Sequence, residues 1–189
     1  MKTTFAAAVL LLVAACEKPL TFVAYEPPSK EFSVEVPAGW RLDDRGGFDR
    51  KPLAEVRWIG KVVEEQSGEI YGAVLSVRRI SRLRKDFAGA KEYATFKKNV
   101  LDKGEQLASG KAGVPVTRTP DGFRYGQQYE AELGGLQHGA VRKLPMQVET
   151  IVRRTPAYDY VLELRATRPL FNRYLPALVR LNDSFKVSK

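Results

Sequence analysis

The single cysteine and the single histidine of this chain limit the chemistry available to it. Cys16 is the only cysteine among the 189 residues, and His138 is the only histidine. One cysteine excludes a disulfide framework and any cysteine-rich zinc or iron–sulfur site. His138 lies in the glycine-rich segment 134–139, where we expect an exposed loop histidine, which is poorly suited to act as a preorganised base. These two residues predict no metal site and no cofactor.

Carboxylates are the remaining candidates for catalysis. Glu64, Glu65 and Glu69 lie close together in a polar segment, and Asp121 occupies a predicted turn. Hydrolysis by paired carboxylates requires a fixed separation between them, which no spacing in this sequence imposes. Phosphate-binding loops, nucleophile elbows and zinc-protease helices have no counterpart in the sequence either. We therefore predict that the chain is not an enzyme.

An alternative function stays open. It is a hydrolytic enzyme of the cell envelope that uses carboxylates without a recognisable motif. A cleft that brings two of the four acidic residues together beneath arginines would favour this alternative, whereas a flat or closed sheet surface would favour a binding module.

A basic run provides the candidate binding residues. The chain has 31 lysines and arginines against 22 acidic residues, and its formal net charge is +9. Five basic residues stand within eight positions before a predicted helix, whose N-terminal amides would strengthen their field. A solvated strand edge protected from aggregation by its charges is the alternative. The candidate anion-binding residues are Arg78, Arg82, Arg84 and Lys85. Arg79 also belongs to the run, but strand alternation places it on the side opposite to Arg78, Arg82 and Arg84.

The first fifteen residues predict a signal peptide. Lys2 is followed by eleven consecutive apolar residues, 5–15, too few to span a bilayer, which requires about 20. Val13-Ala14-Ala15 precedes Cys16, and this arrangement resembles the lipobox of bacterial lipoproteins. The resemblance implies that the thiol of Cys16 carries acyl chains such as palmitate. An ordinary signal peptide with an incidental cysteine is the alternative.

Lipidation implies a location and a set of partners. Two or more acyl chains hold a protein durably at a bilayer, so we expect the chain on the periplasmic face of the inner or outer membrane of a bacterial envelope. Nucleic acid is then an unsuitable partner despite the sequence pI of about 9.7. Anionic lipid, envelope polysaccharide or an acidic protein face are the expected partners.

Residues 16–29 predict a tether after the lipidated cysteine, and residues 30–189 predict a single domain. Pro19, Pro27 and Pro28 favour extended backbone in the tether, which could lift the domain about 40 Å from the lipid at roughly 3.3 Å per residue. Residues 22–25 could instead form a first edge strand. Our interpretation favours the tether.

The pattern of apolar residues predicts an α+β fold with an antiparallel sheet flanked by helices. One helix begins at Asp86 and ends near Gly104, and a second covers residues 169–182, where Pro176 predicts a kink or a restart. Trp40, Trp58 and the tyrosines at 158 and 160 are expected in the core, as are Leu170, Tyr174, Leu178 and Leu181 of the second helix. Strands are predicted over residues 32–36, 40–42, 54–60, 70–80, 114–118, 123–133, 141–153 and 158–166.

Two short motifs resemble the PsbP/Mog1-like superfamily. The first is Phe32-x-Val34-x-Val36-Pro37-x-Gly39-Trp40, which is similar to its opening hairpin. The second begins at Tyr174-Leu175-Pro176-Ala177-Leu178 and ends at Ser184-Phe185-Lys186, which is similar to its closing helix and final short strand. The resemblance covers about residues 25–189 and implies an α/β/α sandwich. Superfamily members act mostly as adaptor or binding modules, so it also implies a non-catalytic binding or assembly module.

The lipobox resemblance generates the first test. A clickable fatty acid fed to the cells should label the wild-type protein and should fail to label Cys16→Ala, because the chain has no other thiol to acylate. The measurement is the in-gel signal of the immunoprecipitated proteins. Equal labelling of both would contradict lipidation at Cys16.

Overall fold

The structure, a computed structural model, describes residues 19–44, 53–60, 62–65, 68–81, 116–134 and 141–188. Strands dominate this part of the chain. The elements in chain order are β1 (Phe22–Tyr25), β2 (Phe32–Pro37), β3 (Arg41–Asp43), β4 (Leu53–Ile59), β5 (Val62–Glu65), β6 (Gly68–Tyr71), β7 (Ala73–Ser81), β8 (Val116–Thr119), β9 (Gly122–Gly134), β10 (Val141–Arg154), β11 (Tyr158–Thr167), α1 (Arg168–Ser184) and β12 (Lys186–Val187).

A seven-stranded antiparallel sheet forms the centre of the fold. Its strand order is β3-β4-β7-β11-β10-β9-β8. Leu75 and Val77 of β7 stand opposite Leu164 and Leu162 of β11, and all four side chains are fully buried. Because alternate residues of a strand share one face, these four form one apolar surface that must be covered.

A smaller sheet and α1 cover that surface. The smaller sheet has the order β1-β2-β12, and β2 buries Phe32 and Val34 in alternation with half-buried polar residues. The ring of Phe32 stacks on Phe185 at 5.7 Å between centroids and meets the edge of Tyr160 at 6.3 Å. Tyr25 meets Trp58 of the large sheet edge-on at 5.0 Å. Aromatic contacts therefore join the two sheets.

Helix α1 lies on the same side of the large sheet. Its buried residues are Phe171, Tyr174, Ala177, Leu178 and Leu181, which follow helical spacing and form one apolar stripe.

Of the kink or restart predicted at Pro176, the restart is not found, since α1 runs without a break from Arg168 to Ser184. Proline lacks the N–H that would bond the carbonyl of Asn172, four residues earlier. Both residues are exposed, so water can satisfy that carbonyl.

Residues 22–25, which we interpreted as tether, form a strand instead. β1 pairs antiparallel with β2, with Val23 opposite Val36 and Tyr25 opposite Val34. The sheet therefore includes part of the segment 16–29, and the alternative interpretation as an edge strand is the one found. The physical reason is that Phe22 and Tyr25 pack against the core, and the prolines of the segment lie outside β1, where they remove no hydrogen bond from its pairing. The predicted signal peptide lies outside the described residues and stays a prediction.

The predicted fold class is confirmed, because the described residues are antiparallel sheets with a helix packed on them. The predicted strand 70–80 is divided: β6 pairs with β5 in a separate hairpin, whereas β7 joins the large sheet. Trp58 and Tyr160 are core residues as expected, and Trp40 and Tyr158 pack against the core. The predicted helix from Asp86 to Gly104 lies outside the described residues.

The aromatic packing around Phe32 predicts that this residue contributes strongly to the free energy of unfolding. Phe32→Ala should lower the free energy of unfolding by about 3–5 kcal/mol, because it removes a fully buried ring and leaves a cavity. Val187→Ala on β12 is the control, since Val187 is 40% exposed and should cost about 0.5 kcal/mol or less. Urea denaturation measures both values, and equal losses would contradict the central position of Phe32.

Candidate functional site

Of the four predicted anion-binding residues, Arg78 lies within the described part of the chain, whereas Arg82, Arg84 and Lys85 lie outside it. Arg78 stands opposite Glu55 on β4 and donates a 3.1 Å hydrogen bond from Nη2 to Glu55 Oε1. Arg57 donates to the other oxygen of the same carboxylate at 2.6 Å. An anion at Arg78 would therefore compete with Glu55, and the four-residue site stays a prediction.

The pKa of Glu55 reflects this pairing. Burial by itself raises the pKa of the carboxyl, but the hydrogen bonds and charges of Arg57 and Arg78 together outweigh the burial. The pKa of Glu55 is therefore lowered from its usual value of 4.5. The ionised form of Glu55 therefore stabilises the sheet.

Further polar side chains follow the same face across the sheet. Thr150 on β10 lies 3.5 Å from Glu163 of β11, and Glu163 accepts a 2.9 Å bond from Arg165. Burial raises the pKa of the Tyr125 phenol on β9, against the smaller lowering effect of its hydrogen bond with Thr150. These side chains interact with one another across neighbouring strands. We therefore interpret them as a network that stabilises the sheet.

Arg79 points to the opposite face of the sheet and is core. Only 2% of the residue is exposed, its guanidinium forms an ion pair with Glu31, and it lies 4.8 Å from the ring centre of Tyr158. Burial, helped by the charge of Glu31, raises the pKa of Tyr160 to about 12. Arg79 therefore belongs to the basic run in the sequence but cannot reach a surface partner.

The four candidate catalytic carboxylates do not form one group. Strand register places Glu64 opposite Glu69 in the β5–β6 hairpin, whereas Asp121 lies in the turn between β8 and β9 of the other sheet. Asp121 accepts a 2.7 Å bond from Arg153 Nε, and although burial raises its pKa, the contacts with Arg153 and Thr119 lower it overall. Within the described ranges, no cluster of three histidine, cysteine or acidic side chains could hold a metal ion. His138 lies outside them.

An open groove lies between β1 and the outer side of α1. Its apolar walls come from Phe22, Leu175, Pro176 and Val179, and Val179 is 40% exposed. Leu175 and Val179 are one helical turn apart and therefore neighbours on the helix surface. We call this feature the α1–β1 groove.

Arg180 and Asp183 are the charged residues that line the α1–β1 groove, and we call them its rim. Arg180 Nε donates a 2.5 Å bond to Glu35 on β2, and Asp183 lies beside Arg180 on the wall. A second hollow adjoins it, which shares Arg180 and Asp183 and continues to Ser33, Ser184 and Lys186.

Ser184 joins the end of α1 to β2 under this rim. It accepts a 2.8 Å bond from the Glu35 amide and donates a 2.7 Å bond to the Arg180 carbonyl. The rim is held by the fold, so the groove presents an apolar floor with charges in defined positions.

Sequence reasoning missed the α1–β1 groove. A signal for it was present, because Leu175 and Val179 are apolar residues of a predicted helix that do not belong to its predicted core stripe. The second wall of the groove depends on β1, and the sequence allowed two interpretations of that segment, as a tether or as a strand. The pairing of β1 with β2 decided the site.

No protein-family model matches this chain, and no curated protein matches it. Several solved structures are similar. A protein from Bacteroides thetaiotaomicron has a TM-score of 0.49 and 6% identity; the similarity covers 88% of this chain and 48% of that chain, so this chain spans about half its length. The Ran-binding protein Mog1p of Saccharomyces cerevisiae has a TM-score of 0.45 and 12% identity, over 89% of this chain and 96% of that chain.

PsbP (CyanoP) from Synechocystis has a TM-score of 0.44 and 14% identity, over 93% of this chain and 99% of that chain. Mog1p and CyanoP carry the names of the superfamily that the sequence resembles. The α+β fold class itself rests on the strands and the helix described above. Among the described residues, no helix has the length and the apolar content that crossing a bilayer requires.

The lowered pKa of Glu55 predicts a pH dependence. A carboxyl whose pKa is lower in the folded than in the unfolded chain stabilises the fold above about pH 4.5, and this contribution is lost as the pH falls through the folded value. Glu55→Gln should therefore be less stable than wild type at pH 6–7, and the difference should shrink towards pH 3. Chemical denaturation at each pH measures it.

The matched control for Glu55 is Glu130→Gln. Glu130 pairs with Lys143 at 3.4 Å, but both side chains are about 60% exposed. Surface pairs contribute about 0–1 kcal/mol, so this variant should stay near wild type at every pH. A constant difference for Glu55→Gln from pH 3 to pH 7 would contradict the role of its ionised form.

Proposed function

We propose that this chain is a lipid-anchored protein of the bacterial envelope that acts as a non-catalytic binding or assembly module. The observation that carries the proposal is the α1–β1 groove. Its apolar floor offers a partner favourable burial, and the fixed charges of its rim offer orientation. Arg180 and Asp183 supply these charges.

The proposed anchor is Cys16, on the periplasmic face of the inner or outer membrane. With β1 inside the fold, six residue steps separate Cys16 from Phe22. At roughly 3.3–3.6 Å per residue they reach about 20 Å at most, half the distance that a tether over residues 16–29 would allow. Anchoring therefore holds the β1 side of the domain near the lipid.

The proposed partner is anionic lipid, envelope polysaccharide or an acidic protein face, in keeping with the net charge of +9. The hydrolytic alternative has weaker support. It needs two carboxylates in one cleft beneath arginines. Strand register does place Glu64 opposite Glu69, but Asp121 is engaged by Arg153 and lies in a different sheet, and the α1–β1 groove contains none of these carboxylates.

Photocrosslinking in living cells tests the proposal. A photoreactive phenylalanine analogue in place of Val179 should crosslink efficiently, because it lines the α1–β1 groove. The same analogue in place of Leu42, which is 46% exposed on β3, is the matched control and should crosslink at least several-fold less. Adding Cys16→Ala should reduce the signal at position 179.

Mass spectrometry of the products identifies lipid, polysaccharide or protein as the crosslinked class. Equal yields at positions 179 and 42 would contradict a binding role for the groove. An unchanged yield with Cys16→Ala would contradict the anchor.

A further inference from the structure

We infer that the α1–β1 groove docks on an anionic bilayer surface, with its apolar walls in the interfacial region and the neighbouring arginines on lipid phosphates. This inference rests on the proposed function, because the anchor at Cys16 brings the groove to the membrane. Among the three partner classes it selects anionic lipid. We call the groove together with Arg173 and Arg180 the docking surface.

The exposed side of α1 carries more basic than acidic residues. Its exposed charged residues are three arginines and one aspartate, namely Arg168, Arg173, Arg180 and Asp183. Helices that lie in a membrane interface combine an apolar face with basic residues beside it. Here the apolar residues Pro176 and Val179 occupy the exposed side of a helix whose opposite side is core.

Two arginines flank the apolar part of the docking surface. Arg173 and Arg180 are seven residues apart, so they lie on the same side of α1, with Pro176 between them. The side chain of Arg180 is 53% exposed while it contacts Glu35, and Arg173 is exposed beside the ring of Tyr174 at 5.4 Å. Long basic side chains of this kind reach phosphates while their stems cover apolar surface.

The position of the anchor favours a bilayer over a protein partner. Phe22 is both the first residue of β1 and a wall of the groove, and the anchor cannot lie more than about 20 Å from it. A folded partner of 100 residues has a radius of gyration of about 13 Å and hence a larger diameter than this gap. The lipid surface itself meets no such restriction.

Docking by the domain alone should be weak and electrostatic. Near an anionic bilayer one basic side chain changes binding by about fivefold, and salt screens this attraction beyond roughly 8 Å at physiological ionic strength. The anchor converts this weak affinity into a fixed orientation, because it holds the surface at high local concentration.

Sedimentation with vesicles tests the docking surface without the anchor. The probe is the mature chain, residues 16–189, with Cys16→Ser, mixed with vesicles of equal phosphatidylglycerol and phosphatidylcholine or of phosphatidylcholine alone. We expect binding to the anionic vesicles that falls as salt rises. Val179→Asp and Arg173→Glu should each weaken it by about fivefold or more.

The matched controls lie elsewhere on the fold. Leu42→Asp introduces the same charge at an equally exposed apolar residue of β3, and Arg118→Glu reverses an exposed arginine on β8. Both should bind like the parent chain, and all four variants should keep its melting temperature because the replaced side chains are exposed. Equal effects of the two pairs, or no binding to anionic vesicles at low salt, would overturn the inference.

A second arm reads the orientation of the anchored chain. Cys16, the only cysteine, is coupled to a maleimide lipid, and a photoreactive acyl chain in the vesicle labels whatever lies in the interface. Labelling should concentrate in α1 peptides on anionic vesicles and fall with Val179→Asp. Equal labelling on phosphatidylcholine alone would overturn the inference, because the anchor chains would then occupy the groove without help from charge.

The synthetic anchor separates this inference from the proposed function. If cells do not acylate Cys16 but the coupled chain docks through α1, the lipid anchor fails and the docking surface is supported. If cells acylate Cys16 but α1 is not labelled, the anchor is supported and the docking surface is overturned. A groove that crosslinks only to protein in cells would likewise overturn it.

Discussion

The contact of Phe32, Phe185 and Tyr160 joins three separate parts of the chain. Phe32 belongs to β2, Phe185 follows α1, and Tyr160 lies in the centre of the large sheet; the ring of Tyr160 meets both other rings edge-on. Each ring is almost completely buried. Burial of this much aromatic surface is a large stabilising contribution. The smaller sheet, the end of α1 and the large sheet depend on it for their mutual position.

The α1–β1 groove is a consequence of that packing. Phe185 directs the chain from α1 into β12, which pairs with β2, and β2 in turn holds β1 against the domain. The outer side of α1 therefore lies beside β1, and Ser184 holds the helix end to β2. None of these elements forms the groove by itself, because its two walls come from opposite ends of the chain.

Burial also decides which charged side chains of the fold need a partner. The arginines that cross the sheet faces lie beside carboxylates, as in Arg78 with Glu55 and Arg153 with Asp121, because a half-buried charge is stable only with a partner. Arg79 is the extreme case, because its buried guanidinium pairs with the half-buried carboxylate of Glu31. The arginines of α1 differ in exposure, since Arg180 keeps 53% of its side chain exposed although it also contacts a carboxylate, that of Glu35.

Local patterns in the sequence were sufficient to predict the fold class and most of the elements. Alternating apolar residues identify β2, β7 and β11, and helical spacing identifies α1 with its core stripe, because these patterns arise from burial of one face and are local. Local patterns did not predict that residues 22–25 pair as β1, that Pro176 stays inside a continuous helix, or that Arg78 pairs with Glu55 and Arg79 with Glu31. The reason is that pairing, register and the second wall of the groove depend on residues far apart in the chain, whose contacts no spacing along the sequence encodes.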